Sequence, residues 1–133
     1  MSLAIVYTRA ALGIEAPLIT IEVHLSSGLP GLTMVGLPET TVKEARDRVR
    51  SALINSGYAF PAKKITINLA PADLPKEGGR YDLPIALALL VASEQLNTTR
   101  LNQYEFVGEL ALTGGLRGVP GAIPSAMEAI KAG

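Results

Sequence analysis

At 133 residues the chain is about one domain long and large enough to bury an ordinary core. Hydrophobic residues make up 48% and charged residues 18%, which excludes a disordered or fibrous class, and twelve basic side chains against twelve acidic ones leave no global field that would draw in nucleic acid. There is no cysteine, so disulfides, thiol nucleophiles and cysteine-ligated metal are excluded.

The first segment, Leu3 to Thr8, is a short β-prone run that breaks at Gly13 to Pro17. From Leu18 the sequence LITIEVHLS alternates, with Ile19, Ile21, Val23 and Leu25 on one face and Thr20, Glu22 and His24 on the other. SSGLPG has the composition of a turn, and LTMVG returns as a third strand, so these three strands are expected to form an antiparallel meander. Thr41 and Glu44 then carry the spacing of a capping box, and Gly57 fits the helix end. Between them Val42, Ala45, Val49, Ala52 and Leu53 form one apolar stripe expected to face the sheet. On the charged face Glu44 is placed to pair with Arg48 and Asp47 partly offsets Lys43 and Arg50.

ITINLA, preceded by Lys63 and Lys64, is the next strand and leads into the polar loop Pro71 to Asp82. Lys76, Glu77 and Arg80 are expected to keep that loop in water, with Asp82 as the N-cap of a helix starting near Leu83. Apart from Pro84, every residue from Leu83 to Ala92 is clearly apolar, so the helix must be covered on most sides; it is about half the length of a membrane span. YEFVGELAL reads as a strand, TGGLRG as a hairpin, and the segment from near Pro124 to Gly133 as a closing helix. The order is approximately βββαβαβα in a single domain, 1–133, of α+β class, a mixed sheet with helices packed on one face. The first residues lack the basic stretch, long apolar run and small-residue cleavage site of a secretory signal, so none is expected, and a cytoplasmic location is the expectation.

Two resemblances attach to these segments. Lys76, Glu77 and Gly78 before an apolar helix resemble the nucleophile loop of the Lon-type peptidase domain, KDGPSAG. Without gaps the peptidase serine falls on Arg80, and the lysine of the dyad falls on Ile123 in GELALTGGLRGVPGAIP. Neither side chain attacks a carbonyl or accepts a serine proton, so this resemblance supports the fold and argues against peptidase activity. More specifically, GLPGLTMVGLPETTVKEARDRVRSALINSGY and ITINLAPADLPKEGGRYDLPIALALL resemble the amino-terminal domain of the ComM/YifB family of magnesium-chelatase-like AAA+ ATPases, over essentially the whole chain. The resemblance implies a ribosomal protein S5 domain 2-like (Lon/ChlI-like) module. It also implies a following hexamer-forming ATPase, absent here, that holds ATP and Mg and acts on branched DNA during natural transformation.

The chain's own residues offer little chemistry. GxxxxGK[ST] does not occur, so no nucleotide hydrolysis and no cofactor is expected in this chain. His24 is the only histidine and reads as an exposed strand residue, too isolated for a metal site. The 5% aromatic content argues against a stacking platform for unpaired bases. Two groups stand out as binding candidates. Lys43, Arg46 and Arg50, with Lys63 and Lys64 if the fold brings them near, form a candidate DNA-phosphate patch, or else an ordinary solvated helix face. Lys76, Gly78, Gly79 and Arg80 form a candidate anion-binding or ATPase-docking loop, or else a solvated connection. The sequence therefore carries two functional readings. One is a non-catalytic domain of a ComM-like ATPase that helps engage DNA or position the ring. The other is a docking module for the ATPase or neighbouring subunits of the hexamer that never touches DNA. No membrane partner is expected.

Overall fold

The computed structural model describes residues 2–10, 16–71, 79–96 and 103–117. Strands β1 (Leu3–Arg9), β2 (Leu18–Ser26) and β3 (Gly31–Val35) precede helix α1 (Glu39–Asn55), which is followed by β4 (Lys64–Ala70). A 3-10 turn, Gly79–Tyr81, leads into α2 (Asp82–Ala92), and two short strands follow, β5 (Glu109–Leu110) and β6 (Leu116–Arg117). The class is α+β with a mixed four-stranded sheet, as expected.

The sheet order is β1-β2-β4-β3, antiparallel at β1–β2 and β2–β4 and parallel at β3–β4. This overturns the meander, because β2 and β3 do not pair. β3, α1 and β4 instead make a parallel crossover unit, the helix carrying the chain back so that β4 starts beside β3's first residue and fills the gap next to β2. Alternation reveals that a strand exists, and it says nothing about which neighbour the strand takes.

The alternation also sorts the two faces. Val6, Ile19, Ile21, Val23, Ile65, Ile67 and Leu69 point to one side and are each at most 1% exposed. α2 lies over this face against β1 and β2, and α1 packs on α2. Every α2 residue is buried or half-buried, as its unbroken apolar run requires. In α1, Ala45, Val49, Ala52 and Leu53 are buried, so the predicted stripe is real but turns inward beside α2. No helix among the described residues is long and apolar enough to cross a membrane.

Helix ends differ from the sequence reading in instructive ways. α1 begins at Glu39, ahead of the supposed capping box, because Pro38 sets φ at −59° and its carbonyl accepts the first helical bond, from the Val42 N–H at 3.0 Å. No side chain caps this end. The other end matches the expectation: the Gly57 N–H donates to the Ile54 carbonyl (3.1 Å) and the Tyr58 N–H to the Leu53 carbonyl (2.9 Å), a Schellman motif with Gly57 at φ +89°. The segment expected as one strand from Tyr104 to Leu112 is broken into pieces. Glu105 bridges Tyr7 in parallel, with the Phe106 N–H donating to the Tyr7 carbonyl at 2.9 Å. Gly108 then bonds the Arg80 carbonyl and accepts from the Leu83 N–H, both at 3.0 Å. Only Glu109 and Leu110 go on to pair with Leu116 and Arg117, in the hairpin expected at TGGLRG. The closing helix from near Pro124 lies outside the described residues.

Gly36 links β3 to α1 at φ +101°, and a Cβ there would run into the backbone carbonyl of Leu69. Backbone cannot move aside as a side-chain tip can. Gly36→Ala is expected to destabilise the fold by about 2–3 kcal/mol, and Gly57→Ala, where only the left-handed conformation is strained and nothing lies within 4 Å, by about 1 kcal/mol. Urea midpoints of the two variants check the order.

Candidate nucleic-acid interface

α1's charged face meets the start of β3 and the loop between α1 and β4 in a groove of about 560 Å³. Arg46, Arg50 and Lys63 line it beside Leu32, Ile54, Phe60 and Ile65. Arg46 and Arg50 share the rim because they are one helical turn apart. Lys63 comes from the residue before β4, brought alongside because Gly31 at the head of β3 donates its N–H to the Lys63 carbonyl at 3.4 Å. Asp47 is the single acid of the groove lining; it lies 3.7 Å from Arg46 as an exposed pair, which contributes little and leaves the cations in excess.

The Arg50 guanidinium lies over the Phe60 ring, 5.9 Å from its centroid. The loop that carries Phe60 is pinned by Gln95, whose carboxamide accepts from the Ala59 N–H and donates to the Ala59 carbonyl, both at 2.8 Å. The groove wall is thereby fixed from α2's far end.

Of the five candidate phosphate contacts, the fold therefore gathers Arg46, Arg50 and Lys63. Lys43 is exposed on α1 and does not line the groove. Lys64 opens β4 with its side chain opposite to buried Ile65, on the sheet face shared with Ser26 and Gly31.

The family described as Subunit ChlI of Mg-chelatase matches residues 21–133. The chain belongs to this family. Within it, the chain is 84% identical to YifB of Salmonella typhimurium over 133 residues and 69% identical to the competence protein ComM of Haemophilus influenzae over 131 residues. It is 39% identical to a Mycobacterium bovis protein over all 133 residues of the chain. These likenesses place it with the amino-terminal domain of the ComM/YifB branch. The chain spans 26% of the length of each of these relatives.

In this ChlI-family domain the second candidate group is placed differently from the sequence reading. Lys76 and Gly78 lie outside the described residues. Gly79 and Arg80 form the buried 3-10 turn, and Arg80 is 4% exposed, so it does not hold the loop in water. Burial pushes its guanidinium pKa down and lifts the neighbouring Tyr81 hydroxyl to about 12. Ile123, the other position laid over the peptidase dyad, lies outside the described residues.

Asp82 is not an N-cap. It is the first residue of α2, fully buried, and its carboxylate accepts from Arg48 at 2.7 and 3.3 Å and from the Leu110 N–H at 3.1 Å. Arg48 is thus drawn to Asp82 rather than to Glu44, because a buried carboxylate needs a partner and an exposed one does not. Burial raises the Asp82 pKa, against the pull of Arg48 and Leu110, while the hydrogen bond from the same pair raises that of the more exposed Arg48. The pairing favours the guanidinium charge and leaves the carboxylate paying for its desolvation. Phe60, Ile54 and Leu32 had no signal in the sequence that would have assigned them to a binding groove; only the i, i+4 spacing of Arg46 and Arg50 hinted at a shared rim.

Proposed function

We propose that the chain is a non-catalytic domain of a ComM-like, magnesium-chelatase-like AAA+ ATPase, and that it engages DNA through the phosphate backbone at the groove of Arg46, Arg50 and Lys63. One observation carries this reading: a chain of zero net charge gathers three cations into one concavity against a single acid. The competence name of the Haemophilus influenzae relative supports a role in handling incoming DNA. ATP and Mg would belong to the ATPase module in the rest of such a protein, and the domain would work beside that module and the neighbouring subunits of a hexamer during branch migration. Backbone contact suits such a role, since a ring that moves along DNA has to work on any sequence.

A second reading, a docking module that does not contact DNA, is favoured by the other face of the sheet. There Leu3, Ile5, Leu18 and Val35 are 40–50% exposed, around a polar centre of Glu22, His24, Thr66 and Asn68. Fluorescence anisotropy of labelled single-stranded, duplex and forked DNA with the chain at two salt concentrations separates the readings. DNA engagement predicts micromolar binding that weakens steeply with salt; no binding at low salt hands the domain to the docking reading.

A further inference from the structure

We propose that the groove is selective for an unpaired strand and seats one base on the outer face of the Arg50 guanidinium, with Arg46 and Lys63 on the flanking phosphates. The inference rests on the DNA reading above and adds to it the state of the DNA.

Phosphate contact alone calls for cations and leaves the groove's apolar lining unused. Here Leu32, Ile54, Phe60 and Pro61 present partly exposed apolar surface to the same concavity as the cations, and Ile54 is 48% exposed. A base supplies the flat apolar surface such a lining would cover, and a duplex keeps its bases stacked inside, away from it. The volume, about 560 Å³, is on the scale of pockets that hold one small molecule, roughly 300–1,000 Å³, so a nucleotide or two can enter it while a duplex can reach only the rim cations. Phe60 lies within cation–π reach of the Arg50 guanidinium, 5.9 Å from its ring centroid, while Arg50 stays exposed, and the two hydrogen bonds between Gln95 and Ala59 fix the loop beneath. An exposed guanidinium placed beside an aromatic ring in this way offers a stacking surface for an unpaired base. The sparse aromatic content argues against a row of stacking rings, but one arginine–phenylalanine contact is enough for one base.

The test compares three labelled probes on the full 133-residue chain by anisotropy at low salt: an oligothymidylate of about a dozen nucleotides, an abasic strand with the same number of phosphates, and a duplex of that length. The oligothymidylate is expected to bind about tenfold more tightly than the abasic strand. Phe60→Leu, which keeps an apolar side chain and all three cations, is expected to erase that difference while leaving the abasic strand's salt dependence unchanged. Arg50→Lys, which keeps the charge and loses the planar guanidinium, is expected to erase it as well, with the circular dichroism spectrum of both variants checking that they fold. Equal binding of the thymidylate and abasic strands overturns the inference and leaves phosphate engagement standing. A base preference that survives Phe60→Leu overturns it as well. Failure of all three probes to bind removes the DNA reading beneath it.

Discussion

Asp82→Ala is expected to destabilise the domain by about 3–5 kcal/mol, a loss on the scale of its total stability. The sequence reading, in which Asp82 is an N-cap, predicts only about 1 kcal/mol. The difference follows from what the carboxylate holds: two bonds from Arg48, on α1, and one from the Leu110 N–H, on β5, so that one side chain ties α1, α2 and the hairpin together. Its removal leaves a partly buried guanidinium and a buried N–H without their acceptor. Asp82→Asn keeps an acceptor for Leu110 and is expected to lose less. The double replacement Arg48→Met with Asp82→Leu removes both charges together and is expected to recover most of the single-variant loss, since a buried pair often contributes little beyond an apolar pair of the same size. Urea denaturation of the four proteins, with an unchanged slope, checks the series.

The second large effect concerns DNA. If Arg46, Arg50 and Lys63 each bring one cation to the backbone of an unpaired strand, the slope of log affinity against log salt includes about 2.1 units from the groove, or about 18-fold in affinity over a fourfold rise in salt. Replacing all three by alanine is expected to remove that dependence and bring binding near the limit of detection. Replacing Lys43 and Lys64 by alanine removes two positive charges against three and is expected to alter affinity by about twofold at most, because neither side chain lines the groove. If the two variants lost affinity equally, diffuse charge and not the groove would be the source of binding.

Much of this arrangement was legible before the structure. The period-2 pattern of Ile19, Ile21, Val23 and Leu25 and that of Ile65, Ile67 and Leu69 defined both central strands and their buried face, since the side-chain direction of a strand is a local property. The 3.6-residue stripe of α1, the covered helix α2 and the Gly57 cap were equally local. What could not be read was pairwise and distant. Nothing in SSGLPG announces that β4 will come between β2 and β3, because that depends on where a helix returns the chain. The role of Asp82 was misread because a carboxylate just ahead of an apolar helix has the pattern of a cap, and only the position of α1 reveals Arg48 beside it. At the groove, Arg46 and Arg50 were visible as a pair, but whether Lys63 or Lys64 joins them turns on the parity of β4, and the seating of Arg50 on Phe60 depends on a loop held by Gln95 from the far side of the domain.

The measurement that tests the central claim most directly is a nitrogen-15 NMR titration of the chain with a short single-stranded oligonucleotide, following both backbone amides and arginine side-chain signals. The groove assignment predicts that the largest shifts fall on Arg46, Arg50, Phe60 and Lys63, and that they shrink as salt is added. Shifts centred instead on the opposite sheet face, at Thr20, His24, Thr66 and Val35, or no shifts at all, would contradict it.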